Sequence, residues 1–477
     1  MDRAAELFRA PGSALSSHPA ASPSSHPAAS LSSRLAASAL ATEGEVMSND
    51  AFHAWFEERQ RKHALRVTRI TFDELQGWNF DSATGNLRHD SGRFFSVEGI
   101  RVRSDYGLVR EWCQPIIHQP EIGILGIAVR EIDGVLHCLM QAKPEPGNVN
   151  AVQLSPTVQA TKSNYTRVHG GSAVPYLDCF IDPDPLRVMA DVLQSEQGSW
   201  FLRKRNRNMV VEVGPEVEAG EDFCWLTLGQ LGALLRHPNL VNMDARTVLS
   251  CFPDWRAGSG TAAGAGLHSD TEIRSWVTGR RAGHEITIEP LPLRETEGWH
   301  RSEKAISHES GRFFSIVAVD VSSHRREVPA WSQPLLEPHG LAVAALLVKR
   351  IRGVPHALFS ARVEPGFLDV VELGPTVQCT PESYAHLPSE DRPRYLDAVL
   401  DRRPEQTLFD AVLSEEGGRF HHAQSRYLII EVDEDFPTAT PEDFRWVTLC
   451  QINELLKYSH HLNVQARTLV VGMRTLL

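Results

Sequence analysis

The feature that most constrains this 477-residue chain is that it carries one pattern twice. "SGRFFS" occurs at 91–96 and again at 310–315, a displacement of 219. The same displacement carries Trp112, Gln114 and Pro115 onto Trp331, Gln333 and Pro334, and Glu145-Pro146-Gly147 onto Glu364-Pro365-Gly366. It also carries "QLSPTVQAT" at 153–161 onto "ELGPTVQCT" at 372–380, and Ser195-Glu196 onto Ser414-Glu415. Towards both ends the displacement becomes 221, as in Gly77-Trp78 against Gly298-Trp299 and "NMDART" against "NVQART". A repeat of about 200 residues is a whole domain and not a solenoid unit. The chain is therefore expected to fold as two related domains, 48–252 and 271–477.

Two stretches fall outside the duplication. Residues 1–47 are Ala, Ser, Pro and His with few large apolar side chains, and "HPAASPSSHPAASLSS" nearly repeats itself. Such a segment buries too little surface to offset the entropy of ordering, so a disordered tail is expected, with globular sequence beginning just after Met47. Residues 253–270, "PDWRAGSGTAAGAGLHSD", have the composition of a flexible Gly/Ala/Ser linker. The net charge of −12 argues against a nucleic-acid binder. The longest purely apolar run, 341–348, is too short for a membrane span, and no leader is evident. Seven Cys are scattered singly without a CxxC pair, so neither a zinc knuckle nor a disulfide framework is indicated. A reduced, cytoplasmic compartment follows as the expectation.

Local patterns within each copy are mixed. An amphipathic helix is expected at 50–63, with a counterpart near 271–279. "FFSVEGIRVR", "FFSIVAVDV", "NMVVEV" and "RYLIIEV" read as strands. "GILGIAVREIDGVLHCLMQAK" reads as a hairpin turning at Asp133-Gly134, with Arg352-Gly353 at the matching turn. "WLTLGQLGALLRH" and "WVTLCQINELLKYS" have helical spacing. Strands and helices intermix without βαβ alternation, so the expected class is α+β with mixed sheets, two such domains per chain. A GxGxxG after a strand and a GxxxxGK[ST] are both absent, as is a GxSxG elbow.

Residues 145–165, "EPGNVNAVQLSPTVQATKSNY", interleave apolar residues with Gln, Thr, Ser and Asn. That is the texture of a pocket that fixes a polar ligand, and equally of a hydrogen-bonded edge strand. Trp78 and Trp299 either stack on a base or sugar ring or belong to the core. Arg93 and Arg312 either meet a phosphate or are solvated. Lys143 and its counterpart Arg362 place a cation two residues before Glu-Pro-Gly, suited to a diphosphate or to an ion pair with the neighbouring Glu. His137 and His356 match between the copies and read as structural.

"SGRFFSVEGIRV", "WCQPII", "GILGI", "AKPEPGN", "VQLSPTVQATKSNYTRVHGG" and "YLDCF", with "VEPG" and "ELGPTVQCTPESY" in the second copy, resemble the sugar-nucleotide (NDP-hexose) 2,3-dehydratases of deoxysugar biosynthesis. The resemblance covers residues 48–475. It implies a homodimer, two duplicated Nudix-like domains per subunit, and two nucleotide-sugar pockets of which one catalyses and the other is a remnant. The acidic Nudix box itself is absent: Arg294-Glu295-Thr296-Glu297-Gly298 matches only its core, so metal-assisted diphosphate cleavage is not supported. The implied substrate is a dTDP-linked 4-keto-6-deoxyhexose. Its ketone acidifies the C3 proton, a base removes it, an acid helps the C2 hydroxyl leave, and the enol becomes a 3,4-diketo-2,6-dideoxy sugar. That reaction needs neither nicotinamide nor metal when donors stabilise the enolate. The labile product implies a downstream NADPH-dependent 3-ketoreductase, within antibiotic biosynthesis.

The acid–base candidates are Lys162 and Tyr165, if their proton affinities are lowered. The alternative makes Lys162 a surface cation and Tyr165 a core ring. The first binding site is expected to use Trp78, Thr157, Val158, Gln159, Ala160 and Thr161, with Ser163, Asn164 and Ser195. The second is expected to use Trp299, Arg362, Thr376, Val377, Gln378 and Thr380. It adds Ser383, Tyr384, Ser414, Glu415, Glu416 and Gly417. Which pocket is productive stays open on these residues. A divergent nucleotide-sugar hydrolase and a non-catalytic nucleotide-sugar binder are the competing functions.

Overall fold

The computed structural model describes residues 30–162, 173–255, 266–323 and 330–476. Among the described residues a helix α1 (Leu31–Leu40) comes first. The first repeat then runs α2 (Asn49–Lys62), β1 (Leu65–Ile70), β2 (Trp78–Phe80), β3 (Leu87–His89), β4 (Ser96–Ser104) and β5 (Glu111–His118). It continues with β6 (Gly123–Ile132), β7 (Val135–Pro144), β8 (Val152–Ser155), β9 (Val158–Ala160), α3 (Asp178–Ile181) and β10 (Val188–Ser195). It closes with β11 (Arg205–Glu212), β12 (Phe223–Thr227), α4 (Leu228–Leu234) and α5 (Met243–Ser250). The second repeat follows the same plan: α6 (Asp270–Gly283), β13 (Ile286–Leu291), β14 (Trp299–Arg301), β15 (Ala305–His308), β16 (Phe314–Ser323) and β17 (Ala330–Pro338). Next come β18 (Ala342–Ile351), β19 (Val354–Val363), β20 (Val371–Gly374), β21 (Val377–Cys379), α7 (Leu396–Leu400) and β22 (Thr407–Ser414). Last are β23 (Gln424–Glu431), β24 (Phe444–Thr448), α8 (Leu449–Leu455) and α9 (Val464–Arg474).

The local rules are visible in these elements. α2 begins on Ser48, whose hydroxyl accepts from the Ala51 N–H, and it buries Phe52 and Phe56 one turn apart. α6 begins on Ser269 with a capping box closed by Glu272, and buries Ile273, Trp276 and Val277. At Asp133-Gly134 and Arg352-Gly353 both residues take positive φ, 50° and 80°. Two left-handed residues in a row are what a two-residue type I′ hairpin requires.

Each repeat builds a seven-stranded mixed sheet. The first has the order β10-β11-β6-β7-β12, with β8 on β7 and β9 on β6. The second has β22-β23-β18-β19-β20, with β21 on β18 and β24 on β19. In each, one central pair is parallel, β11 with β6 and β23 with β18. The other two sheets are five-stranded, and each takes a strand from the opposite repeat. β1 runs antiparallel to β16, from Leu65 opposite Ser323 to Ile70 opposite Ala318. β13 does the same against β4. The repeats are thus exchanged at their first strands, and α5 packs on α9 at the centre.

Three expectations change. Part of the expected tail is a docked helix: Leu35 of α1 is fully buried among Phe52, Phe56, Leu136 and Leu228. Ser38 Oγ donates to Leu136 O (2.5 Å) and accepts from Leu228 N–H (2.9 Å), and Arg34 pairs with Glu131 and Glu212. A helix of Ala and Ser costs little side-chain entropy, so one buried Leu and a few polar anchors suffice to dock it. The linker is anchored at both ends, by buried Trp255 beneath Arg474 and by Leu267 N–H on His356 Nε2 (2.9 Å). "WLT" is not helical: all of β12 is buried, and Thr227 then caps α4, which starts at Leu228, through Gln230 N–H. A short apolar run does not separate strand from helix by periodicity. Leu35→Ala is expected to destabilise the fold by roughly 2–5 kcal/mol, read from chemical denaturation.

Candidate functional site

The two repeats lock together through their Glu-Pro-Gly turns. Gly147 N–H donates to Gly417 O (2.7 Å) and His422 N–H to Gly147 O (2.7 Å). In the mirror contact, Gly366 N–H donates to Gly198 O (2.6 Å) and Arg203 N–H to Gly366 O (2.8 Å). Two fully buried arginines repeat the exchange. Arg246 donates to Val241 O (2.6 Å), Thr468 Oγ1 (3.2 Å) and Ser414 O (2.7 Å). Arg467 donates to Leu462 O (2.6 Å), Thr247 Oγ1 (2.6 Å) and Ser195 O (2.5 Å).

Each lock encloses a polar site. In the first, Lys143 at the end of β7 lies 4.0 Å from Glu145, and Gln159 of β9 donates to Glu145 Oε1 (2.7 Å). Asn242 at the head of α5 donates to Gln159 Oε1 (3.2 Å). Glu196 follows β10; its Oε1 accepts from Asn206 (2.6 Å), and its buried Oε2 has no hydrogen-bond partner among the described residues. Asn148 Oδ1 is likewise buried and unpartnered. Asp244, in the first turn of α5, is buried, as are Glu145, Glu196 and Lys204. The second repeat contributes Glu416 and Arg419 across the lock.

Burial sets the electrostatics here. It pushes Asp244 well above the carboxylate range, reinforced by the charges of Glu196, Glu416 and Glu145. It raises Glu145 against the opposing pull of Lys143, and Glu196 against that of Arg467. Lys204 is lowered to about 8 by burial and by Arg419. Carboxyls whose proton affinity is raised, beside a lysine whose affinity is lowered, suit acid–base chemistry near neutral pH.

The second site has the same skeleton and less charge. Arg362 Nε donates to Glu364 Oε1 (2.6 Å), Gln378 donates to the same oxygen (3.0 Å), and Asn463 donates to Gln378 Oε1 (2.8 Å). Tyr384 and Tyr106 lie close to Arg362, with burial raising both phenols. Glu415 accepts from Gln197, Ser425 and Tyr427 at 2.7–2.8 Å. At the positions of Asp244, Glu416, Lys204 and Arg419, this site has Gln465, Gln197, Ala423 and Trp200.

The residues expected from sequence divide accordingly. Gln159, Gln378, Arg362, Glu415, Glu416 and Tyr384 line the polar sites. Trp78 and Trp299 are core side chains, 6% and 8% exposed, whose indole N–H groups donate to Ser332 O (3.1 Å) and Cys113 O (2.9 Å) across the repeats. Neither ring has a free face for stacking. Thr157 and Thr376 are buried anchors: Thr157 bridges Leu139 O and Ala128 N–H, and Thr376 bridges Leu358 O and Leu347 N–H. Val158, Val377 and Ala160 belong to the core. Thr161 and Thr380 are half-buried, as is Ser383 in the short 3-10 helix Pro381–Ser383. Gly417 contributes its carbonyl to the lock. Lys162 is exposed, and Ser163, Asn164 and Tyr165 lie outside the described residues.

Ser195 and Ser414 bridge the repeats. Ser195 Oγ donates to Glu372 Oε2 (2.5 Å), whereas Ser414 Oγ accepts from Gln153 (2.8 Å), the counterpart of Glu372. Burial raises Glu372 to about 8. A carboxyl raised on folding stabilises the fold below its ordinary value near 4.5, and that contribution is lost as pH rises through about 8. Glu372→Gln, an amide already accommodated at Gln153, is expected to flatten the fall of Tm between pH 5 and 8. An unchanged slope in thermal melts would contradict this.

Interlocked α+β repeats that hold buried, proton-retaining carboxyls have the makings of an acid–base enzyme. Residues 49–252 and 270–473 both match the NDP-hexose 2,3-dehydratase family, and the chain belongs to that family. It is 51% identical over 456 residues to the dTDP-4-dehydro-6-deoxy-alpha-D-glucopyranose 2,3-dehydratase of Saccharopolyspora spinosa, covering 92% of this chain and 94% of that one. The enzymes of the same name from Amycolatopsis orientalis and Streptomyces violaceoruber are 49% and 51% identical over 438 and 439 residues. These matches cover 91% and 90% of this chain, and 92% and 98% of theirs.

Proposed function

We infer that the chain is a hydro-lyase that removes the C2 hydroxyl of dTDP-4-keto-6-deoxyglucose as water, and that the first site performs the chemistry. Family membership and the names of the relatives support the reaction. The observation that carries the choice of site is Asp244 buried among Glu145, Glu196 and Glu416, where the second site has two amides instead of two of these acids.

The C4 ketone acidifies the C3 hydrogen. Glu145, held by Gln159 and faced by Lys143, takes that proton. Asp244 gives its proton to the C2 hydroxyl as the C2–O bond breaks, and water leaves. Lys143 and Lys204 offset the enolate charge in a site that excludes bulk water. The C3 enol then returns its hydroxyl proton to the Asp244 carboxylate while protonated Glu145 delivers a proton to C2. The 3,4-diketo-2,6-dideoxy sugar is released and both carboxyls are restored, with no net change in oxidation state across the sugar. Exposed Lys162 is not given the proton transfer. Lys162→Met is expected to keep near-normal turnover, and a severe loss would return the chemistry to residues 162–165.

The test is incubation with dTDP-4-keto-6-deoxyglucose, a 3-ketoreductase and NADPH, followed by mass spectrometry. A reduced sugar nucleotide is expected that has lost one water and gained two hydrogens from NADPH, and is therefore lighter than the substrate by one oxygen. Release of dTMP with a sugar phosphate would select a nucleotide-sugar hydrolase, and unchanged ligand would select a binding protein. Among the described residues no three His, Cys, Asp or Glu side chains are grouped to hold a metal ion, and no helix is long and apolar enough to cross a membrane. The same proposal includes Nudix-like descent of each repeat, a cytoplasmic homodimer, and hand-over of the labile diketone to an NADPH-dependent ketoreductase in antibiotic deoxysugar biosynthesis.

A further inference from the structure

The first repeat does not build its site alone. The corner at residues 415–420 of the second repeat is clasped by the turn at 145–148, where a Cβ on Gly147 would fall 1.6 Å from Phe420 O. That contact fixes the corner and brings Arg419 up to the first repeat. Its Nε donates to Gln119 Oε1 (3.1 Å), just beyond β5, and its Nη1 to Glu416 Oε1 (2.7 Å). Glu416 is itself pinned by the N–H groups of Gly418 (2.9 Å) and Arg419 (2.8 Å).

The charged groups facing Arg419 come from every element around it. They are Glu145 after β7, Glu196 after β10, Asp244 on α5, Glu416 on its own corner, and Lys204 ahead of β11. Burial works against the Arg419 charge, and the surrounding carboxyls, Glu416 foremost, outweigh it. Glu196 Oε2 and Asn148 Oδ1 of this cluster are buried without a hydrogen-bond partner among the described residues. The equivalent corner of the first repeat carries Trp200, whose ring packs on Phe420 with centroids 4.7 Å apart, so the second site receives no cation from it.

We propose that Arg419 is a positioning residue of the first site. It holds Gln119 and Glu416 in place and balances the charge of the proton-transfer carboxyls, so the second repeat takes part in the reaction through this corner and not only through a pocket of its own. The proposal rests on the reading that the first site performs the dehydration.

The test is the pH profile of kcat for the full-length chain and two variants of opposite sign, with folding checked by thermal melt. Removing the cation raises the proton affinity of the neighbouring carboxyls, so Arg419→Gln is expected to move both limbs of the profile upward by about one pH unit. It is expected to lower kcat at pH 7 by about 10- to 100-fold, with little change in KM. Glu416→Gln removes a negative charge and is expected to move the limbs downward, and Arg419→Lys is expected to restore most of the profile. Opposite displacements are not produced by a general loss of packing. If Arg419→Gln fails to fold, the displacement in Glu416→Gln and its absence in Arg419→Lys decide. Unmoved limbs in the folded variants, whatever the rate, overturn the proposal. Full turnover in Asp244→Asn overturns instead the reading of the first site on which it rests.

Discussion

Asp244→Asn is expected to lower kcat by about 1,000-fold, the scale of losing a positioned general acid. The substitution is close to isosteric, and Gln465 already places an amide at the corresponding position of the second repeat, so the fold is expected to persist. Because burial and three neighbouring carboxyls favour the protonated form of Asp244, the change removes a transferable proton and little charge. KM and the affinity for dTDP are therefore expected to change little, since the interaction lost is made as the C2–O bond breaks. Calorimetry with dTDP beside steady-state kinetics checks both parts. A variant with near-normal kcat would mean that the leaving hydroxyl is protonated elsewhere.

The second large effect is expected from Gly147→Ala. The new Cβ would sit 1.6 Å from Phe420 O and 2.7 Å from Gly417 O, both backbone atoms, so the corner must move. Moving it breaks the Gly147 N–H to Gly417 O and His422 N–H to Gly147 O bonds. Overpacking and two lost hydrogen bonds together are expected to cost roughly 3–5 kcal/mol. Since Glu416 and Arg419 ride on that corner, activity should fall even in molecules that still fold. Gly366→Ala disturbs the mirror contact, where a Cβ would lie 1.7 Å from Phe201 O, and should destabilise the fold comparably. Urea denaturation compares the two. Wild-type stability in either would show that the locks yield more easily than their geometry indicates.

Much of the architecture is legible in the chain. The displaced copies announce two like repeats, and Asp133-Gly134 and Arg352-Gly353 announce the hairpins between β6 and β7 and between β18 and β19. The exchange of β1 and β13 is not legible, because "LRVTRI" alternates for a sheet face without naming the sheet it joins. α1 is hidden by its Ala/Ser composition, which resembles a tail until Leu35 meets its cavity.

The candidate site is half legible. Gln159, Gln378, Arg362, Glu415 and Glu416 follow from the polar texture of the repeated motifs. Trp78 and Trp299 are drawn in by their aromatic chemistry, and only the fold reveals that the indole N–H of each donates to a strand of the other repeat, β17 and β5. Asp244, Lys204 and Arg419 escape a reading by motif because they sit far apart along the chain. A usable signal lies in the duplication itself: at these positions, and at Glu416, one copy carries a charge and the other Gln, Ala or Trp. Comparing the copies for lost charge, rather than for retained motifs, points to the first site.

The most direct measurement is a crystal structure of Asp244→Asn with dTDP-4-keto-6-deoxyglucose bound. The hexose should lie in the first site, with its C2 hydroxyl within about 2.6–3.2 Å of the substituted side chain at position 244 and the C3 hydrogen directed at Glu145. A hexose held against Lys162 and Tyr165, or engaged only beside Arg362 in the second site, would contradict the assignment.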